Sequence, residues 1–171
     1  MKRKGLLLTS GCKEARFDNL IARNQLPFPN PESRWSDYTL DEAFRLHLFL
    51  TILDQAGAGI ELANYLVGNG LMHFATHPLN HPVQGPEVWI AAGMVPEPDP
   101  AIEQSHWKFH VAGSLEDMSA KVRDQVERHW QGRSVSALVC ANVSASARAV
   151  RQAALEIGLP EGVDFSPVGK N

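Results

Sequence analysis

Cysteine is nearly absent from this chain of 171 residues: Cys12 and Cys140 stand far apart, with neither a CxxC pair nor a cysteine-rich neighbourhood. That spacing excludes a disulfide-stapled small domain and favours a reducing compartment. Long apolar runs are missing too. The longest, Leu46 to Leu53, is broken by His47 and Thr51 and falls far short of the roughly 20 residues that span a bilayer. Met1-Lys2-Arg3-Lys4 is followed only by the brief stretch Gly5 to Thr9 before Ser10-Gly11, shorter than the core of a secretion signal. The expected location is therefore cytoplasmic, with no membrane partner. Internal repeats and low-complexity tracts are lacking.

What is present is enough apolar material, 44% of residues against 20% charged, to fill one or two ordinary cores. The net charge of −3 argues against a protein that coats nucleic acid nonspecifically, but it is unevenly spread. Residues 1 to 50 carry eight Lys or Arg against six Asp or Glu, and the remainder eight against thirteen. A phosphate-facing surface therefore belongs to the first third. Between Gly68 and Pro100, prolines, glycines and histidines interrupt any continuous helix. The expected organisation is thus a unit over 1–69, a Pro/His-rich linker over 70–86, and a second unit over 87–171.

Upstream, the pattern predicts two short helices around the Ser10-Gly11 turn. In the second, over 13–24, Phe17, Leu20 and Ile21 form a buried stripe, and Asn24 can take the left-handed conformation that ends a helix. Arg16, Asn19 and Arg23 fall together on another side, bordered by Ala15 and Ala22, whereas Glu14 and Asp18 project to a different edge. Arg and Asn bind base edges bidentately, so such a face suits the major groove; a solvated face of an ordinary helix is the competing reading. Residues 26–38, with three prolines and no helical period, suggest a two-stranded flap. Thr39-Leu40-Asp41-Glu42 reads as a capping box opening a long helix that is apolar on most sides. Gly57-Ala58-Gly59 breaks it, and Ile60 to Val67 forms a further helix.

This order resembles the winged helix-turn-helix domain of the MerR-type transcription regulators over residues 6–69. The anchors are Ser10-Gly11-Cys12, Ala22-Arg23-Asn24-Gln25-Leu26, the run Arg34 to Ala43, and Gly59-Ile60-Glu61-Leu62-Ala63. The resemblance implies sequence-specific binding of double-stranded DNA by a two-fold homodimer, with the helix at 13–24 in the major groove and the wing on the backbone. By position, Arg16 and Asn19 would read bases, while Lys2, Arg3, Lys4, Lys13, Arg23 and Arg34 would bind phosphates. Two departures are plain: Phe17-Asp18 stands where the family carries a tyrosine pair, and its long dimerisation helix is absent.

Pairing is therefore expected from residues 87–171. There Val88 to Ala92, Trp107 to Val111 and Val135 to Val143 read as strands, the last apolar on both faces and suited to a sheet interior. Ser114 to Trp130 and Ser144 to Ile157 read as helices. The expected fold class is α+β: a winged helix-turn-helix followed by a small β-β-α-β-α domain. Dimerisation is assigned to Ala147, Val150, Ala154 and Ile157 on the last helix, or to the exposed edge of the sheet.

His73, His77 and His81 have the i, i+4, i+8 spacing of zinc ligands on one helix face, but Pro78 and Pro82 break that helix. A metal site there or with His106 and His110 is the minor reading; no metal or other cofactor is expected. Gly57-Ala58-Gly59 follows no strand and lacks a third glycine, so it is a helix break rather than a dinucleotide site. Acidic pairs at helix starts are explained by capping, and no motif supports catalysis. The chain is thus expected to be a regulator, not an enzyme. A protein-interaction adaptor of the same shape is the alternative, and a small hydrophobic effector remains open.

Overall fold

A computed structural model of the protein describes residues 1–33, 35–81, 84–97, 99 and 106–159. It is mixed α+β. Helices α1 (Arg3–Ser10), α2 (Glu14–Ala22), α3 (Leu40–Asp54) and α4 (Ile60–Gly70) come first, followed by short 3-10 turns at Leu71–His73 and Pro78–Asn80. Then come β1 (Trp89–Pro96), β2 (His106–Gly113), α5 (Leu115–Trp130), β3 (Ala137–Asn142) and α6 (Val143–Glu156). The order of the second half is the expected β-β-α-β-α. Among the described residues no helix is long and apolar enough to cross a membrane.

Local chemistry sets many of these boundaries. At the start of α3 the Glu42 amide donates to Thr39 Oγ1 (3.1 Å) and the Thr39 amide to Glu42 Oε2 (2.7 Å), so two donors left free by the first turn are satisfied reciprocally. Ser114 Oγ accepts from the Asp117 amide at the start of α5, and Asn142 Oδ1 from the Ala145 amide at the start of α6. Asn24, just past α2, has φ of 52°, as its residue type suggested.

The three strands form one antiparallel sheet in the order β2-β1-β3. Trp89 lies opposite Gly113 on one side and Asn142 on the other. Because β2 and β3 both run against β1, they are parallel to each other, and α5 makes the crossover that parallel strands require. Alternation then divides the sheet between two cores. Ile90, Ala92 and Ala141 join the helical layer of α1–α4 and α6, while Ala91, Val95, Phe109 and Val111 pack under Met118 and Val126 of α5. Gly93 lies directly beneath the Phe109 ring, where an added Cβ would come within 2.2 Å of it.

The larger core is built around α3. Phe44, Leu46, Leu48, Phe49 and Ile52 are all completely buried, each worth about 1.5–3 kcal/mol relative to exposure. The helix contacts α1, α4, α6 and β3, which is why its sequence is apolar on most sides. This core crosses the boundary expected at 70–86: Leu71, Pro78 and Leu79 are buried, and residues from both halves of the chain belong to the one cluster.

Two expectations fail. Residues 26–38 contain no strand among those described. Prolines at 27, 29 and 31 remove backbone donors from any ladder, and the loop is instead held by the Asn30 amide donating to the Ile21 carbonyl (3.1 Å) and by Phe28 and Tyr38 edge to face. The α6 stripe is not a free face either. Ala147, Val150 and Ala154 are buried in the chain's own core, with α1 and α3 packed against α6, leaving only Ile157 partly exposed. A shared core predicts one cooperative heat-absorption peak for the full chain, with calorimetric and van't Hoff enthalpies equal. Two separable transitions would show that the halves fold apart.

Candidate nucleic-acid interface

Helices α1 and α2 are joined by three residues, Gly11 to Lys13. Gly11 has φ of 71°, a left-handed turn position that glycine occupies without steric cost. Cys12 is buried, and its amide donates to Ser10 Oγ (3.3 Å). Leu6, Phe17 and Leu20 turn inward from the two helices and are buried with it. The turn is pinned from below: Nδ1 of His47, on α3, lies 3.1 Å from the Ser10 carbonyl. Burial raises the pKa of the Cys12 thiol despite nearby Arg16, so Cys12 serves packing rather than thiolate chemistry.

The outer face of α2 sorts the expected site residues into two groups. Arg3 is a strut between the helices, 2.6 Å from Asp18 and 3.4 Å from Glu14, with its guanidinium over the Phe17 ring. The two acids of α2 are thereby drawn toward α1. Lys2 joins Asp37 (2.9 Å) and donates to the Trp35 carbonyl (3.2 Å), holding the loop before α3 against the start of α1. Arg16 makes a bidentate pair with Asp54 at the end of α3 (2.6 and 2.8 Å), and that pairing lowers the Asp54 pKa. By contrast Lys4, Lys13, Asn19 and Arg23 are exposed, and no polar partner of their side chains is found among the described residues. Ala15 and Ala22 are exposed beside them, as expected. Arg34 lies outside the described residues.

Of the candidate histidines only His73 and His110 are shown in ring contact among the described residues, and His73, His77 and His81 do not share a face. His73 packs against His110, whose Nδ1 is 2.9 Å from the Tyr65 hydroxyl. His77 Nε2 lies 2.7 Å from Asp41, His77 Nδ1 accepts from the Leu79 amide (3.2 Å), and Arg45 holds the other Asp41 oxygen (2.6 Å). Nε2 of His81 is 3.0 Å from the Thr76 carbonyl, and His106 opens β2. Among the described residues no group of three or more His, Cys, Asp or Glu could hold a metal ion. The Asp41–His77–Arg45 cluster and Arg151, which donates to the carbonyls of Leu79 and His81, fasten the 78–81 turn to α3 and α6. Apart from the i,i+4 pair of Asp41 and Arg45, sequence spacing carried no sign of them, since His77 and Arg151 lie dozens of positions from their partners. Asp54 escaped notice as the partner of Arg16 for the same reason.

Two short helices about a glycine turn, with a small-residue-flanked, cation- and amide-bearing outer face, can place side chains in a groove about as wide as one helix. The chain matches no family model, no curated protein and no solved structure.

The pinning histidine makes the interface frame sensitive to pH. Burial lowers the His47 pKa, outweighing its bond to Ser10, so the unfolded chain takes up a proton below about 6.5 that the folded chain resists. The resulting stability is complete above that pH and drains as pH falls toward the folded value. Melting temperature should therefore drop from about pH 8 to about pH 5. His47→Gln, which keeps a donor for the Ser10 carbonyl, should flatten the decline without abolishing it, because burial and His73 lower His110 too. An unchanged slope in thermal scans of the variant would contradict this role.

Proposed function

We propose that the chain is a sequence-specific DNA-binding transcription regulator, with residues 1–69 acting as a MerR-type winged helix-turn-helix in a two-fold homodimer. Helix α2 enters the major groove, and the loop over 26–38, with Arg34, lies along the backbone as the wing. The observation that carries this reading is the outer face of α2. Lys13, Asn19 and Arg23 are exposed and unpaired among the described residues, while the acids of the same helix are turned toward Arg3 of the neighbouring one, which pairs closely with Asp18 and more loosely with Glu14.

On this reading Asn19 is placed to bond an adenine edge, and Arg16 a guanine. Arg16 must first leave Asp54. Exposed pairs contribute only about 0–1 kcal/mol, so exchanging that carboxylate for a base edge or a phosphate is readily offset. Lys4, Lys13 and Arg23 supply the salt-dependent attraction to phosphates, whereas Lys2 is held by Asp37 and Arg3 by Asp18 and Glu14. A single module of this size covers few base pairs, and a two-fold pair doubles them.

One observation favours the alternative, a protein-interaction adaptor of the same shape: the central cation of the face, Arg16, is already neutralised by Asp54. Selection of sequences from a random duplex pool, followed by titration of the best duplex, separates the two. For a regulator, Asn19→Ala or Arg16→Ala should cost about 1–3 kcal/mol and relax preference at one or two base pairs. Arg23→Ala or Arg34→Ala should weaken all sequences alike and reduce the salt slope by about one phosphate. Failure to enrich any sequence, or indifference of the best duplex to all four changes, would leave the adaptor reading.

A further inference from the structure

The two edges of the sheet are treated differently. Along β2, side chains from outside the sheet occupy carbonyls: the Tyr65 hydroxyl donates to that of Lys108 (3.3 Å), and the Lys121 ammonium to that of Ala112 (2.6 Å). Lys108 itself stands on that strand and pairs with Glu61 (3.1 Å). A lysine on the strand and occupied carbonyls are familiar ways of blunting an edge against further pairing.

Strand β3 has none of these devices. It pairs with β1 on one side and with no described strand on the other, and no side chain among the described residues bonds to the backbone of 137–141. Between Arg133 and Arg148 the sequence contains no charged residue and no proline. Ala137-Leu138-Val139-Cys140-Ala141 has the composition of a strand inside a sheet, yet it lies at the margin. Helix α5 packs on β2 and β1, and on that face of the sheet Leu138 is 46% exposed and Cys140 half-buried.

We infer that β3 pairs antiparallel with β3 of a second copy of this chain, joining two three-stranded sheets into one of six strands across a two-fold axis. Such an interface is isologous, so each residue meets a residue of the same strand. A charged edge would face its own sign there, and this edge carries no charge. Residues 137–141, at about 3.3–3.4 Å each, give roughly 17 Å of shared ladder about an axis at Val139, which keeps the faces of the two sheets matched and sets Leu138 of each copy opposite Cys140 of the other. A contact of that length falls at the small end of specific interfaces, so the dimer should dissociate on the order of micromolar concentrations. This deepens the proposed two-fold dimer but stands on the sheet edges alone, and its test contains no DNA.

The experiment is sedimentation velocity of the full chain over a concentration series, with Leu138→Lys as the variant. That side chain is already half exposed, so lysine leaves the fold intact, as far-ultraviolet dichroism and melting temperature check. A dimer whose dissociation constant rises at least about tenfold in Leu138→Lys is expected, since the two lysines would lie on one face, diagonal to each other across the axis. A short homobifunctional maleimide should also link the wild-type dimer and the Cys12→Ser variant, but not Cys140→Ser. A monomer at every concentration, a dimer untouched by Leu138→Lys, or linkage that survives Cys140→Ser would overturn the inference. A dimer with no affinity for duplex DNA would sustain it and count only against the DNA-binding reading.

Discussion

Burial of α3 is the constraint on which the rest of the molecule depends. A helix with Phe44, Leu46, Leu48, Phe49 and Ile52 fully buried must be surrounded, and the chain surrounds it with α1, α4, α6 and the sheet. The consequences reach the surface. His47 leaves the buried side of α3 to hold the Ser10 carbonyl at the helix turn, and Asp54 at its end holds Arg16 on the outer face of α2. The helix that organises the core therefore also sets the pose of the face proposed to meet DNA.

The same demand explains which parts of the fold were legible in sequence. Thr39 and Glu42 announce the start of α3 because a capping box is a local interaction three residues long. Asn24 marks the end of α2 because its left-handed conformation is a local preference, and the β-β-α-β-α order follows from short-range periodicity. The α6 stripe deceived for a physical reason. Ala147, Val150 and Ala154 look the same whether they meet a second copy or α3, because an apolar stripe specifies burial and not its partner. Prolines in the 26–38 loop, by contrast, were visible, and their missing donors weigh against a ladder more than turn-like spacing weighs for it. The Arg16–Asp54 pair, 38 positions apart, depends on the tertiary path of α3 and no spacing encodes it.

The surface chemistry follows from competition among charges within the first 54 residues. Arg3 takes up Glu14 and Asp18, Lys2 takes up Asp37, and Arg16 takes up Asp54. Much of the basic excess seen in sequence is thus spent inside the fold, and among the described residues of this region Lys4, Lys13 and Arg23 remain for a polyanion. An interface with few free cations depends on groove fit and on doubling through a dimer more than on bulk attraction. Since α6 is consumed by the core, the uncharged margin of the sheet at β3 is the surface proposed to provide that doubling.

The central claim is that the outer face of α2 touches base edges. Its most direct test is photo-crosslinking from a benzophenone side chain placed at Asn19, with the same group at Leu115 on the far side of the sheet as control, on a duplex enriched from a random pool. The account predicts crosslinks from position 19 mapping to bases within a major groove, repeated at symmetric half-sites, and none from position 115. Crosslinks absent from position 19, or equal from both positions and scattered along the duplex, would contradict it.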